Sequence, residues 1–289
     1  MTFFLRPDGG AVGVRRGGGA RSFAALCFSL CTLAGGALVG SAFSAHAKDP
    51  VRPMYTDRPD TTESPYTVPR GMWQIEASFA DFSRDSRGIS GHKQQWVFGQ
   101  NNIKLGTTQN SDLQFIFNSH ATAGQVEGGD RTFSRGFGDV IVRFKQNLWG
   151  NDSGDSAFAL MPYLSIPTHT GMSERAWAGG MIVPLAIKLT EPLTLGVMSE
   201  FDFRERSSED AGRFQWLQTA SLGVNWTERI GSYHEFVTIV SAGQAFQFSF
   251  NSGITFQVRP GLVWDVGTRL GINRAAPDVG AFSGFSVRF

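Results

Sequence analysis

FQFSFNSGITFQVR, residues 246–259, is the stretch that decides the fold of this chain. Successive side chains of a β-strand face opposite sides, so one face collects the residues at even positions and the other face those at odd positions. The even positions are mostly aromatic or aliphatic: Phe246, Phe248, Phe250, Ser252, Ile254, Phe256 and Val258. The odd positions are amides, hydroxyls, a glycine and an arginine. A strand of this length with one apolar and one polar face predicts a wall between lipid and water, as in a transmembrane β-barrel.

The C-terminus repeats this alternation. Phe285, Val287 and Phe289 share one face, and glycine, serine and arginine lie between them on the other. This pattern predicts a last strand that closes a barrel. We predict that the terminal Phe289 is an assembly signal, with the barrel-assembly machinery and periplasmic chaperones as partners.

The N-terminus has the features of a secretory signal peptide, which we place at residues 1–47. Arginines precede an apolar run from about Phe23 to Val39, and Ala45-His46-Ala47 supplies small residues for cleavage before Lys48. A membrane-spanning helix explains the run less well, because the run contains glycines and hydroxyl residues and is short for a span. The leader predicts export, and with the strands it predicts a bacterial outer-membrane location.

Cysteine and charge exclude several classes of function. The two cysteines, Cys27 and Cys31, both lie in the predicted leader, so the mature chain has no disulfide, thiolate nucleophile or cysteine metal site. The leader also removes four of the 26 basic residues and one of the 25 acidic residues, which leaves a slightly acidic chain. That balance is unlike a nucleic-acid-binding surface.

Alternation and turn residues divide the mature chain into about twelve strands, which predicts an all-β, antiparallel up-and-down barrel over residues 71–289. The predicted strands are 71–82, 94–105, 110–118, 138–149, 156–166, 177–189, 192–204, 213–226, 232–242, 245–259, 261–272 and 281–289. An even number of strands places both termini on one side of the membrane.

The gaps between strands alternate in length, and this alternation predicts the orientation. Gaps after the even-numbered strands are short, as at Thr190-Glu191, whereas gaps after most odd-numbered strands are long, as at 83–93 and 119–137. Bacterial barrels have short periplasmic turns and long outer loops, so both termini are predicted to be periplasmic. A soluble β-sandwich gives no reason for this asymmetry.

A polar, proline-rich segment, residues 48–70, precedes the first strand. Its prolines forbid a helix or a central strand. The segment is either a flexible periplasmic tail or a plug-like tether that folds into the barrel. In the second interpretation its charged residues pair with charges of the lumen: Asp57, Arg58, Asp60 and Glu63.

Several strands place charged residues on the face opposite to the apolar one, and these residues are the candidates for the lumen. A charge on the lipid face near the midplane costs about 2–4 kcal/mol, so we assign them inward. They either pair and fill the lumen or form a constriction that selects solutes. The candidates are Glu76, Asp139, Arg143, Lys145, Glu200, Asp202, Asp265, Arg269 and Arg288.

Specific motifs resemble the MetA-pathway-of-phenol-degradation family of outer-membrane transporters. They are Thr56-Asp57-Arg58-Pro59-Asp60, Gly136-Phe137-Gly138-Asp139, the stretch 147–152, Ile166-Pro167-Thr168 and the C-terminus. The resemblance covers essentially the whole mature chain. It implies an outer-membrane barrel that passes small aromatic or hydrophobic compounds, and it carries no catalytic residues.

Enzyme chemistry has little support in the sequence. The mature histidines are His92, His120, His169 and His234, and the first three fall on predicted outer loops without a shared spacing. No Gly-x-Ser-x-Gly elbow, metal-ligand cluster or cofactor motif accompanies them. We therefore predict a transporter for small-molecule solutes with no catalytic residue, metal or cofactor, and with outer-membrane lipids around it. The alternatives are a plugged structural or surface-interaction barrel and, more remotely, a lipid hydrolase.

Overall fold

A computed structural model describes residues 51–86, 92–127, 130–205 and 214–289. The predicted signal peptide and cleavage site lie outside the described residues. We describe the compact unit that extends from Pro53 to Phe289. Within the described ranges, no helix is long and apolar enough to cross a membrane.

The unit is a closed antiparallel β-barrel, and strands that follow one another in the chain pair with each other except β4 and β5. The strands are β1 (Trp73–Asp85), β2 (His92–Gly106), β3 (Ser111–Glu127), β4 (Asp130–Gly136), β5 (Val140–Trp149), β6 (Ser156–Ile166), β7 (Ala178–Lys188), β8 (Leu193–Arg204), β9 (Phe214–Asn225), β10 (Ile230–Ser241), β11 (Gln247–Arg259), β12 (Leu262–Gly271) and β13 (Val279–Arg288).

The barrel has twelve strand positions, as the sequence predicts, because β4 and β5 share one of them. β5 pairs with the first part of β3, from Ser111 to Phe117, and β4 pairs with the second part, from Ala121 to Glu127. β1 pairs with both β2 and β13, which closes the sheet. The N–H of Trp73 donates to the carbonyl of Phe289, so both chain ends of the barrel meet at one rim.

The predicted outer loop 119–137 is wrong, because the structure has a β-hairpin there, formed by the end of β3 and by β4. His92 and His120, predicted on loops, consequently lie in β2 and β3. This hairpin extends β3 beyond the 9–11 residues that a transmembrane strand needs. Apart from Val126 and Phe133, its residues are small or polar, so the regular apolar alternation on which the prediction rests is missing.

The side chains of the outer wall are apolar and exposed, whereas those of the inner wall are buried. On β10, the outward side chain of Phe236 is 50% exposed, whereas the inward carboxylate of Glu235 is 0% exposed. The same alternation holds on β12, where Asp265 is 1% exposed between the outward Trp264 and Val266. This arrangement is that of a transmembrane barrel, whose apolar outer surface contacts lipid.

Candidate functional site: the N-terminal strap inside the barrel

Residues 56–69, which we call the strap, run along the inner wall at the end of the barrel that carries the short turns. Prolines at 59, 65 and 69 prevent the strap from forming a helix or joining the sheet. Its buried N–H groups therefore need other acceptors. The inner wall supplies them through side chains: Glu76 for Asp57 N, Glu235 for Thr61 N and Thr62 N, Asn151 for Thr67 N, and Asp112 for Val68 N.

Asp57 is the electrostatic centre of the strap. Its carboxylate accepts from Lys104 Nζ on β2 at 2.5 Å and from Lys145 Nζ on β5 at 2.9 Å. Lys104 also pairs with Glu76 of β1. Burial alone raises the pKa of Asp57, but the two ammonium groups outweigh burial and hold this pKa well below its ordinary value. Asp57 therefore stays ionised while the strap is docked.

Glu235 is a second anchor, on the opposite part of the wall. Besides the two N–H groups of the strap, it accepts from the hydroxyl of Thr62 at 2.6 Å. The Oγ1 atoms of Thr62 and Thr219 on β9 lie 2.7 Å apart. Asn251 of β11 donates to the same carboxylate at 2.9 Å. A buried carboxylate with this many donors is well satisfied as an anion.

Two more ion pairs join the strap to the wall. Arg58 donates to Asp265 through two nitrogens, at 2.7 and 3.1 Å, which is a bidentate geometry. Glu63 accepts from Arg143 Nη1 at 2.8 Å, and the backbone N–H of Glu63 lies 3.2 Å from the sulfur of Met198. Burial raises the pKa of Glu63, and the guanidinium of Arg143 opposes that rise.

Asp60 lies within the strap, is partly buried and differs from Asp57 in the direction of its pKa shift. Burial and the nearby carboxylate of Glu235 raise the pKa of Asp60 well above its ordinary value, against a hydrogen bond from Ser221. An acid held in this way favours its protonated form. The strap therefore contains one carboxyl that docking keeps ionised, that of Asp57, and two whose pKa docking raises, those of Asp60 and Glu63.

The strap leaves little space against the wall. A cavity of about 30 Å³ lies between them. Its lining includes Asp57 and Asp60 of the strap with Gln100, Asn102 and Phe282 of the wall. The strap therefore occupies part of the lumen at this level, and the barrel sheet does not include it as a strand.

The remaining candidates from the sequence have separate environments. Arg269 forms a bidentate pair with Asp81, with one contact at 2.9 Å, and lies over the ring of Phe282. Asp202 accepts from Gln215 at 3.3 Å. Arg288 donates to the carbonyl of Pro53 at 3.1 Å. Glu200 lies on β8, where it pairs in register with Leu217 of β9 and Ile182 of β7.

Asp139 holds a loop at the other end of the barrel. Its carboxylate accepts from the N–H groups of Thr168 at 3.1 Å and Glu174 at 2.9 Å, both in the loop between β6 and β7. Glu174 in turn pairs with Arg204 at the end of β8 at 2.9 Å. The loop thus bends toward the inward faces of β5 and β8, at the mouth opposite the strap.

One part of the inner wall is apolar, a feature that the sequence prediction missed. Inward side chains from five consecutive strands form one buried cluster: Met161, Ile182, Met198, Leu217 and Val237. We call this cluster the apolar wall. Its signal in the sequence is the continuous apolar runs of β6 and β7, where both faces are apolar and the alternation disappears.

The histidines do not converge on a catalytic site. His234 lies on the outer wall of β10, where its Nδ1 is 3.0 Å from the hydroxyl of Ser252. A hydrolytic triad needs a third group that orients the imidazole. Within the described ranges, no group of three or more histidine and acidic residues could hold a metal ion.

Comparisons with known proteins identify one family and several similar solved structures of low sequence identity. The model of the family described as "Putative MetA-pathway of phenol degradation" matches residues 56–289. None of the curated proteins matches the chain. Among solved structures, NanC porin is similar with a TM-score of 0.49 and 8% identity over 74% of this chain and 98% of that one. KdgM porin in complex with disordered oligogalacturonate gives 0.48 and 9% over 75% and 99%. The CymD monoaromatic hydrocarbon channel gives 0.39 and 7% over 76% and 88%.

Proposed function

The chain belongs to the MetA-pathway-of-phenol-degradation family, and we propose that it is an outer-membrane channel for small solutes that its own N-terminal strap closes. The observation that carries this proposal is the way in which the strap is held. Asp57, Arg58, Thr62 and Glu63 bond to inward side chains, and the closed sheet of β1–β13 does not use the strap as a strand. A segment held in this way can leave without opening the barrel.

The two sides of the lumen suggest the class of solute. The apolar wall of Met161, Ile182, Met198, Leu217 and Val237 lies on β6–β10, and inward charged and amide side chains adjoin it, including Asp202 of β8 and Glu235 of β10. A water-filled porin has a polar interior. An apolar wall instead favours the partition of small hydrophobic or aromatic molecules from water. We assign the selection of solutes to the inward charges beside this wall, which include Arg143, Lys145, Glu200 and Asp202.

The proposed orientation has the rim with both termini in the periplasm. This rim carries the turns 107–110, 189–192 and 260–261, whereas the opposite rim carries the longer connection 167–177. Short turns on the periplasmic side are typical of bacterial barrels. In this orientation the strap follows directly from a signal peptide cleaved before Lys48, and Phe289 is available to the assembly machinery.

Conductance in planar bilayers tests the channel. We would compare refolded mature protein, residues 48–289, with a barrel that lacks residues 48–70, after checking by heat-modifiable gel migration that both are folded. The proposal expects small or absent conductance from the mature protein and stable conductance from the shortened one. Liposomes loaded with a fluorescent reporter would then compare uptake of a small aromatic compound with that of a sugar.

The alternative is a permanently plugged barrel with a structural or surface-interaction role. The number of buried ion pairs between strap and wall favours this alternative. Silence from both folded proteins would select it and exclude the channel. We propose no enzymatic activity; release of fatty acid from lipid by the wild type, abolished by substitution of His120 or His169, would contradict this part of the proposal.

A further inference from the structure

A notch of about 300 Å³ opens on the outer wall between β10 and β11, close to the rim that carries the short turns. Small side chains at Ser232 and Ser252 create it, because bulky residues surround them on the same face. The lining residues are Trp226, Ile230, Gly231, Ser232, His234, Ser252, Gly253 and Ile254.

Polar groups line this notch although it faces the lipid. Trp226 Nε1 donates to Ser232 Oγ at 2.8 Å, and Ser252 Oγ lies 3.0 Å from His234 Nδ1. The imidazole is nearly parallel to the ring of Phe250. Polar and ionisable groups on a membrane-facing surface are costly, so they indicate a function where they occur. The arrangement leaves hydrogen-bonding groups in a recess that an apolar chain can enter.

The depth of the notch matches the boundary between head groups and acyl chains. Ile230 is the first residue of β10, and His234 lies four positions further along the strand. A strand rises about 3.3 Å per residue and is tilted by about 40°, so His234 lies about 10 Å above the turn. The turn itself exposes one acid and one base, Glu228 and Arg229. These two charges complement the ammonium and phosphate of a zwitterionic head group.

We propose that the notch binds one glycerophospholipid of the leaflet that surrounds the turn end. Arg229 contacts the phosphate, and Ser232 and His234 lie at the level of the glycerol esters. One acyl chain follows the outward side chains of Phe236 and Phe250, which lie beyond His234 and Ser252 toward the middle of the barrel. The identification with a phospholipid leaflet depends on the proposed periplasmic position of this rim, and the site is independent of whether the barrel conducts.

The site binds the lipid and does not hydrolyse it. Serine contacts the imidazole at Nδ1, and the described residues place no carboxylate or amide at Nε2 to orient the ring. The backbones around Ser252 and His234 are paired in the β10–β11 ladder, so their N–H groups are not free to stabilise an oxyanion.

Native mass spectrometry of the full mature protein, released from micelles that contain phosphatidylethanolamine, tests this proposal. The wild type should retain one lipid molecule at collision energies that strip the detergent. Ser252→Phe, which fills the notch, should lose this adduct, and His234→Leu should reduce it several-fold. Arg229→Ala should also reduce it, and because residue 229 lies in an exposed turn, this variant tests the site even if Ser252→Phe fails to fold.

His120→Leu is the matched control, since His120 is an exposed histidine on β3, away from the notch. This variant should keep the adduct of the wild type. Equal retention by the wild type, His234→Leu and Arg229→Ala would overturn the proposal, as would a wild type without an adduct. Lysophospholipid formed by the wild type and not by His234→Leu would overturn the conclusion that the site only binds.

Discussion

Lys104 and Asp57, 47 residues apart in the chain, form a buried ion pair with 2.5 Å between Nζ and Oδ2. Both side chains are almost fully buried, and Lys145 completes the contact from β5. Through these two lysines, Asp57 joins the strap to β2 and β5. Removal of one partner from a buried pair leaves an uncompensated charge, which costs about 3–5 kcal/mol.

Asp57→Asn should therefore weaken strap docking and open the channel. The substitution keeps the size of the side chain but leaves Lys145 without its carboxylate partner. We expect a higher conductance than that of the wild type and faster hydrogen exchange of residues 57–68. Glu191→Gln is the control, because it removes a solvent-exposed pair with Lys188, and exposed ion pairs contribute little to stability. Identical behaviour of the two variants would contradict the anchoring role of Asp57.

Thr62→Val tests the second anchor. Valine matches threonine in shape but removes the hydroxyl that donates to Glu235 and contacts Thr219. A hydrogen bond to a charged group contributes about 1.5–3 kcal/mol, so exchange of the neighbouring strap amides should accelerate by at least tenfold. Thr56→Val, whose hydroxyl bonds only within the strap, to Arg58 O, is the control and should change exchange little.

Docking of the strap should depend on pH with an optimum near 4. The pKa of Asp57 is lowered by docking, so its contribution is present above its ordinary value of 3.8 and is lost as the pH falls below it. The pKa values of Asp60 and Glu63 are raised, so their contributions are present below their ordinary values, 3.8 and 4.5, and are lost as the pH rises through the raised ones. Conductance should be lowest near pH 4 and increase on both sides.

Asp60→Asn separates these contributions. The amide cannot ionise, so the increase of conductance on the alkaline side should become smaller while the acidic side is unchanged. Single-channel recordings from pH 3 to 8 would measure both sides. An alkaline side that Asp60→Asn leaves as in the wild type would show that Asp60 does not control docking.

Asp139→Ala should release the loop between β6 and β7 without loosening the strap. The variant loses the acceptor of the N–H groups of Thr168 and Glu174. We expect faster hydrogen exchange of residues 168–174 and unchanged exchange of residues 57–68. Asp155→Asn, in an exposed turn at the opposite rim, is the control. Faster exchange in the strap would show that the two ends of the barrel are coupled.

Leu217→Asn tests the apolar wall. The change places an amide of similar size among Met198, Ile182 and Val237. In liposomes, uptake of a small aromatic compound should fall, because its partition onto the wall becomes less favourable, while uptake of a sugar should stay constant. An equal loss for both solutes would indicate general damage to the barrel.

The alternation of single strands is a local property, and it was sufficient to predict the twelve-stranded barrel. It failed at the end of β3, because residues 119–127 need no lipid-facing side and show no apolar alternation. It also could not identify the apolar wall, since Met161 and Ile182 lie in runs that are apolar on both faces. Inward charges such as Lys145 could be proposed from one strand each, and their role in selecting solutes stays a prediction.

The partners of the strap could not be predicted from the sequence. Asp57 bonds to Lys104 and Lys145 because β2 and β5 bring both ammonium groups to the same level of the lumen. That level depends on the register of several strand pairs and on the tilt of the barrel. The contacts of Asp139 could not be predicted either. Its place in the alternation indicates an inward side chain, but it does not identify the loop between β6 and β7 that its carboxylate holds.

The most direct test of the central claim is the conductance of a reversibly locked strap. Residues 48–289 contain no cysteine, and the hydroxyl oxygens of Thr62 and Thr219 lie 2.7 Å apart, which makes these two positions the choice for an engineered disulfide. We predict that the oxidised Thr62→Cys, Thr219→Cys protein is silent in a planar bilayer. A reductant added to the same bilayer should produce stable channel openings, because the reduced protein lacks the hydroxyl with which Thr62 holds the wild-type strap to Glu235. The same conductance before and after reduction, or silence in both states of a folded barrel, would contradict a channel that the strap closes.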